Sequence, residues 1–341
     1  MVRKSFAALV LVLPAAAACR PKPNGAAPGA DAGSASPVEV PAPPAPKEAA
    51  PVCPPLDRSK VAPFATCGNN VVKTPVPDVV DDAGAMRSFF ERLAELERGA
   101  ATRPVRVAIY GDSNLTSDFL PGHLRRVLQA RYGDAGHGWV SLSRPWGSYR
   151  HEDVVMAGFW PMFKLYAPTT HIAGDKQYGF ANMAAESSEG GAAAWAATAE
   201  DAKAAIGRQV SRFELHYLKQ PSGGAFTIQI DRKDLRTIET KAPAFEAGVE
   251  TIDVEEGPHE LRGVVKGTGR VRFFGVSLDH PGPPGRPGIQ VDSLGAGALN
   301  YERLTWVAKD TRRAQLVQRG YDLVVIWLGM NVMFVPPNKG F

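Results

Sequence analysis

The sequence predicts an α/β fold built on a parallel sheet, interrupted by an inserted antiparallel β-sandwich. Strand-like segments at 105–110, 289–295 and 322–328 each end in a glycine-containing turn and are set among amphipathic helical stretches. That strand–helix–strand order belongs to parallel sheets. Between about 155 and 281 the helical period gives way to two-residue alternation broken by glycine turns, as in a sandwich. Residues 20–55 are dominated by Pro, Ala and Gly and supply no core.

The N-terminus reads as an export signal. Arg3 and Lys4 precede a short apolar stretch, Phe6 to Ala18, and small residues lead into Cys19. A cysteine there resembles the lipobox of bacterial lipoproteins, with Ala16 where Leu is usual. Residues 1–18 are then a signal peptide and Cys19 is the lipidated residue. Arg20, where retention signals carry Asp, favours the outer membrane over the inner. Residues 19–75 read as a flexible tether. Cys53 and Cys67 remain; export to an oxidising compartment makes a disulfide between them plausible. No Cys-x-x-Cys pair or run of clustered histidines suggests a metal. The formal charge of +4, two units of it from Arg3 and Lys4, is too small and too dispersed for nucleic acid. No apolar run long enough for a later membrane span follows the signal.

In the first α/β segment (76–154), the spacing predicts a helix over 84–98 after Asp81 and Asp82. Met86, Phe89, Phe90, Leu93 and Leu96 form its apolar face. The strand 105–110 follows Pro104 and ends in Gly111-Asp112-Ser113-Asn114. A second helix has Asp118 as cap or first-turn carboxylate and Pro121 in its first turn. Leu124, Val127, Leu128 and Tyr132 mark its face, and Gly133 its end. Residues 134–150 read as a long ordered loop. Residues 151–205 have no clear period. Strands are expected at 210–218, 225–231, 235–240, 249–254, 260–265 and 270–278, inside an insert of 155–281. The Pro/Gly run 281–288 closes the insert. The second α/β segment (282–341) brings a strand over 289–295, a helix from Tyr301 to Gln318, and a fully buried strand over 322–328 ending in Gly329-Met330-Asn331.

In a parallel sheet the three strand ends face one edge, where open α/β folds place ligands. Acyl transfer needs a nucleophile, a base, and donors aimed at a developing oxyanion. Ser113 supplies the first. Its own N–H, that of Gly295 and the Asn331 amide supply the last, and glycine allows a substrate to approach the backbone. Asp112 and Asn114 flank the nucleophile in support.

These blocks, Gly-Asp-Ser at 111–113, Gly295, and Gly-x-Asn at 329–331, resemble those of SGNH/GDSL hydrolases, in family order. With the run 111–119, Tyr132 to Val140, and the insert between the first two blocks, the chain is most similar to Gram-negative periplasmic peptidoglycan O-acetylesterases. The resemblance implies a flavodoxin-like parallel sheet, a carbohydrate-binding-like insert, esterase chemistry on an acetylated cell-wall glycan, and no metal or organic cofactor. The sequence departs from the pattern at Asn114, where relatives often carry His, at Val332, and at 296–298. The final Asp-x-x-His block, which brings the base, is absent after Asn331.

A serine hydroxyl without a base is a poor nucleophile. Of the seven histidines, His216, His259 and His280 read as surface or loop residues of the insert, and His123 lies on a helix leading away from the strand ends. His171 falls in the aperiodic stretch. His137 and His151 flank the 134–150 loop and could approach the site. Glu256 and His259 have the spacing of an acid–base pair, read as coincidental. The expectation is a C-terminally incomplete chain, since a sheet ending at 328 leaves an apolar edge. The alternatives are a non-catalytic glycan-binding lipoprotein and an O-acetyltransferase of the same type. Trp139, Trp146, Tyr149, Trp160 and Tyr166 either stack on sugars or pack as core, with packing the default.

Overall fold

The computed structural model describes residues 79–158, 160–165, 172–200, 204 and 206–331. Cys19, Cys53, Cys67, Tyr166 and His171, with the signal, the tether up to residue 78 and Val332, lie outside the described residues. The chain begins with α1 (Arg87–Glu97), β1 (Val105–Gly111), a 3-10 turn (Ser113–Leu115) and α2 (Phe119–Tyr132). Twelve strands follow in sequence order, the first eleven of them forming the insert's sheets: β2 (Gly138–Val140), β3 (Val154–Ala157), β4 (Met162–Lys164), β5 (Met183–Ser187), β6 (Ala193–Thr198), β7 (Val210–Lys219), β8 (Ala225–Ile230), β9 (Lys233–Glu239), β10 (Glu246–Gly257), β11 (Glu260–Val265), β12 (Val271–Asp279) and β13 (Ile289–Gly295). Two helices, α3 (Tyr301–Leu304) and α4 (Lys309–Arg319), precede β14 (Leu323–Trp327). Among the described residues no helix is long and apolar enough to cross a membrane.

The parallel sheet has the order β13-β1-β14. The first strand in sequence therefore lies between the second and third, the arrangement that begins flavodoxin-like sheets and puts the switch point beside β1. One face packs on Phe89, Leu93 and Leu96 of α1, with Leu124 and Leu128 of α2. The other packs on Trp139, Phe180 and Phe274 of the insert and Tyr321. Because both faces are covered, β1 is buried from Val107 to Gly111 and reads as a continuous apolar run.

The insert is a sandwich of two antiparallel sheets. One has the order β10-β7-β12-β5-β4, with β2 also on β12; the other is β3-β6-β11-β8-β9. Inward residues such as Phe213, Leu215, Phe226, Ile228, Leu261 and Phe273 form the core between them. The six strands expected from alternation are present. Four short strands, β3 to β6, occupy the stretch that has no period in sequence.

Several expectations are corrected. Residues 134–150 are not all loop, because β2 pairs Trp139 with Ser277 of β12. Phe90 is exposed, since it falls about 100° round the helix from Phe89. The expected helix 301–318 is broken: the Ala308 N–H donates to Lys176 O (2.9 Å) and so leaves the helical ladder. The strand ending at Trp327 is not fully buried. It is the edge strand of the described sheet, with Trp327 47% exposed.

The buried face of α2 also differs. Pro121, Gly122, Arg125 and Gln129 are buried, while Leu124 and Leu128 are half-buried against α1. Arg125 donates through Nε to Val291 O (3.0 Å), and Gln129 through Nε2 to Gly136 O (2.8 Å) and Ile289 O (3.1 Å). Polar side chains are tolerated there because they satisfy backbone carbonyls that would otherwise be orphaned.

One buried network joins the parallel sheet to the insert. Arg319 of α4 donates to Glu214 on β7 (2.7 Å), and to Gln290 (2.6 Å) and Asp292 (2.9 Å) on β13. Burial disfavours its charged form, yet Asp292, Asp279 and Glu214 hold the guanidinium well above its ordinary pKa. The Tyr321 hydroxyl donates to Asp292, and the Asp292 Oδ1 accepts from the Trp139 N–H (2.9 Å).

Candidate active site

Gly111 is in register with Gly295 on one side and Trp327 on the other. Residues 112–113, 296–297 and 328–331 therefore leave the sheet at one edge, beside the switch point. Asp112 is extended and buried, and its Oδ1 accepts from the Asn114 N–H (3.0 Å) and from Asn114 Nδ2 (2.8 Å). This closes the turn that carries Ser113. The Ser113 carbonyl accepts from the Thr116 hydroxyl (2.8 Å) and the Thr116 N–H (3.3 Å), and its side chain is on an exposed residue.

Gly295 is where the turn meets the neighbouring strand. A Cβ there would lie 2.6 Å from the Leu115 carbonyl carbon. Ala296 then donates its N–H to Gly111 O (2.9 Å). Asn331 donates through Nδ2 to Leu299 O (3.0 Å), and Asn300 caps α3 by accepting from the Arg303 N–H (2.9 Å). The chain thus brings Ser113, Gly295 and Asn331, with Asp112 and Asn114, to one edge. Asn331 is fastened to the loop that follows Gly295.

Beneath this edge lies a buried polar cluster. Asp118 caps no helical N–H; it sits in the left-handed region (φ 59°). Both its oxygens accept from Arg125, at 2.8 and 3.1 Å, with both side chains fully buried. Burial pushes the Asp118 carboxyl up, and the guanidinium beside it more than offsets this, leaving the pKa below the ordinary value.

His137 and His151 are also buried and face each other, Nε2 to Nδ1, at 3.0 Å. The His151 Nε2 meets the Tyr149 hydroxyl (3.1 Å), which accepts from the Ser141 N–H (3.3 Å). Burial lowers His151 to about 4 and holds His137 well below its ordinary value, so both rings are neutral. The two histidines expected to approach Ser113 are instead spent on each other and on Tyr149. Asp118, His137 and His151 offer ligand atoms within 4.8 Å of one another. A cation there would meet the Arg125 guanidinium that already holds both Asp118 oxygens, so the donor set does not suit a metal.

Among the other histidines, His216 differs from expectation. His216 is fully buried between Trp139 (5.0 Å) and Phe180 (5.8 Å) rather than at the surface. His259 pairs with Asp231 (2.7 Å), whereas Glu256 faces His280 (3.9 Å), so the Glu256–His259 spacing is coincidental. Trp139, Tyr149 and Trp160 are buried packing, and Trp146 is half-buried.

The sequence reading missed how loop 144–150 is used. The Arg150 N–H donates to Thr116 O (3.1 Å), and the Ser117 hydroxyl donates to Ser148 O (3.2 Å). Trp146 lies against Gly297, where a Cβ would be 2.8 Å from the indole nitrogen. The loop therefore borders the Ser113 turn on one side and the Gly295 loop on the other. Its two arginines were visible as a signal; its docking was not.

A parallel sheet with a serine at the end of its central strand and an inserted antiparallel sandwich is the α/β class that this fold defines. No family model matches the chain, and no curated protein does. Among solved structures it is similar to a peptidoglycan O-acetylesterase, at 20% identity and a TM-score of 0.55, over 73% of this chain and 63% of that one. The match agrees with an α/β fold carrying additional antiparallel sheets, and the chain spans less than two thirds of that structure's length. Weaker matches include a family two carbohydrate esterase from Clostridium thermocellum with cellohexaose, at 14% identity and TM-score 0.21 over 29% of each chain. A family 35 carbohydrate-binding module from an environmental isolate matches at 9% and 0.22, over 36% of this chain and 82% of that one.

Proposed function

We propose that the chain is a serine esterase that removes O-acetyl groups from peptidoglycan or another cell-envelope glycan. In this reading it is an exported protein held at the outer membrane through acylated Cys19, with Cys53 and Cys67 bridged in the tether and residues 155–281 gripping glycan. The observation that carries it is the register of Gly111 with Gly295 and Trp327, which sets Ser113, Gly295 and Asn331 at one sheet edge.

The Ser113 oxygen attacks the acetyl carbonyl while its proton passes to a base. The N–H groups of Ser113 and Gly295 and the Asn331 amide donate to the oxyanion. The tetrahedral intermediate collapses, the sugar oxygen leaves with the proton, and water hydrolyses the acetyl-serine by the reverse transfers. The base in this reading is a histidine oriented by a carboxylate, as the resemblance to SGNH hydrolases implies. The chemistry calls for no metal or organic cofactor.

The test is acetate release from O-acetylated peptidoglycan by the protein expressed from its whole coding frame. Ser113→Ala is expected to lower release by about a thousandfold or more. Release that survives the substitution overturns the assignment.

A second reading, a non-catalytic glycan-binding lipoprotein, is favoured by His137 and His151 being spent on each other and on Tyr149. It predicts that the wild-type protein binds peptidoglycan and releases no acetate. Transfer of an acetyl group to glycan by the same serine would be recognised by acetylated product formed from an acetyl donor.

A further inference from the structure

The loop 144–150, Arg-Pro-Trp-Gly-Ser-Tyr-Arg, has two arginines and no carboxylate. It is fixed beside Ser113 by the Arg150–Thr116 and Ser117–Ser148 hydrogen bonds and by Trp146 against Gly297. A third cation joins it. Lys164 donates to Pro145 O (3.0 Å), with its ammonium 5.7 Å from the centre of the Trp146 ring. The Arg150 guanidinium lies 4.8 Å from the centre of the Phe119 ring, which orients it while leaving its edge N–H groups available.

Arg144 and Arg150 are both on exposed residues, and neither is in an ion pair among the described residues. The carboxylates nearby in sequence are already engaged. Asp112 is buried and bound by Asn114, Asp118 is buried and bound by Arg125, and Glu152 and Asp153 pair with Arg126 at 2.7 and 3.3 Å. A surface cation is usually unremarkable, because solvent screens it. Three on one fastened rim, with no ion-pair partner among the described residues, give a local positive field next to the proposed nucleophile.

We infer that Arg144, Arg150 and Lys164 form a carboxylate-binding subsite that selects an acidic glycan, one with a free carboxylate on the sugar or its substituent near the acetyl ester. A planar guanidinium suits a carboxylate by two parallel N–H···O bonds, and Lys164 adds charge without directional demand. The subsite rests on the Ser113 reading for its purpose, because it is placed to hold substrate against that hydroxyl. Its binding does not depend on catalysis.

The test is calorimetric binding to the Ser113→Ala protein. The probes are soluble peptidoglycan fragments, and the same fragments with their carboxylates converted to methylamides. The carboxylate form is expected to bind about tenfold or more tightly, with the difference shrinking at about 0.5 M salt. Arg144→Ala with Arg150→Ala should abolish most of that difference, and Arg150→Lys should retain part of it. Both side chains are exposed, so a thermal melt of each variant should match the parent. Equal affinity for the two probes, or discrimination that survives the double substitution, overturns the subsite. Failure of the serine assignment shows separately, as acetate release that persists in Ser113→Ala.

Discussion

Gly295 and Leu115 touch through the space where a side chain would begin. The 3-10 turn after Ser113 is pressed onto the end of β13, and a methyl on Gly295 would lie 2.6 Å from the Leu115 carbonyl carbon. Gly295→Ala should therefore push the Ser113 turn off β13, moving the nucleophile and one proposed oxyanion donor together. We expect kcat for acetate release to fall by about a hundredfold, with a smaller loss of thermal stability. A variant with unchanged kcat would remove Gly295 from the site.

Asn331 is predicted to act twice, as an oxyanion donor and as the tie to Leu299. Asn331→Ala should lower kcat by about a hundredfold to a thousandfold. Asn331→Asp keeps the size but replaces donors by a negative charge, and should be no better than Ala. A full-rate Asp variant would show that no negative charge develops beside this residue.

The Asp118–Arg125 pair supports the site from below. Removing one partner leaves the other buried and unpaired. Asp118→Ala should cost about 3–5 kcal/mol in denaturant unfolding, and adding Arg125→Leu should return part of it. Because the folded carboxyl is held below its ordinary pKa, the pair's contribution is full above the unfolded value near 4 and is lost as pH falls below it. A pH-independent stability below about 5 would contradict this.

His216 should make the protein acid-sensitive in a different window. Burial lowers it to about 3, with the Arg319 charge acting in the same direction, and neither ring nitrogen has a hydrogen-bond partner among the described residues. The unfolded chain then binds a proton that the folded chain refuses, so stability falls as pH drops below about 6.5. His151, lowered to about 4, adds to this slope. His216→Leu should leave Tm at pH 7.5 unchanged or higher and flatten its decline between about pH 6.5 and 4. A large loss of Tm at pH 7.5 would mean that the ring has a partner, such as a buried water.

Most of the fold was legible because its strands follow burial on one or two faces. β7, β8 and β11 alternate, and the glycine ends of β1 and β13, Gly111 and Gly295, announce the turns. The helices were less legible. The apolar stripe of α2 marked the side facing α1, while its deepest face is Arg125 and Gln129. Hydrophobic periodicity is blind to polar side chains that go inside to satisfy carbonyls. The short strands β3 to β6 lie in a stretch rich in Ala and Gly and gain their order from neighbours rather than from their own pattern.

The sequence by itself determined the residue types that acyl transfer needs, Ser113, Gly295 and Asn331, and the order of strands that carry them. Only the tertiary structure decided which groups meet. It paired His137 with His151, buried His216, placed Asp118 on Arg125, and fastened loop 144–150 beside Ser113. These contacts join residues distant in sequence or on opposite sides of a turn. Their strength comes from burial and mutual orientation, which no local spacing encodes.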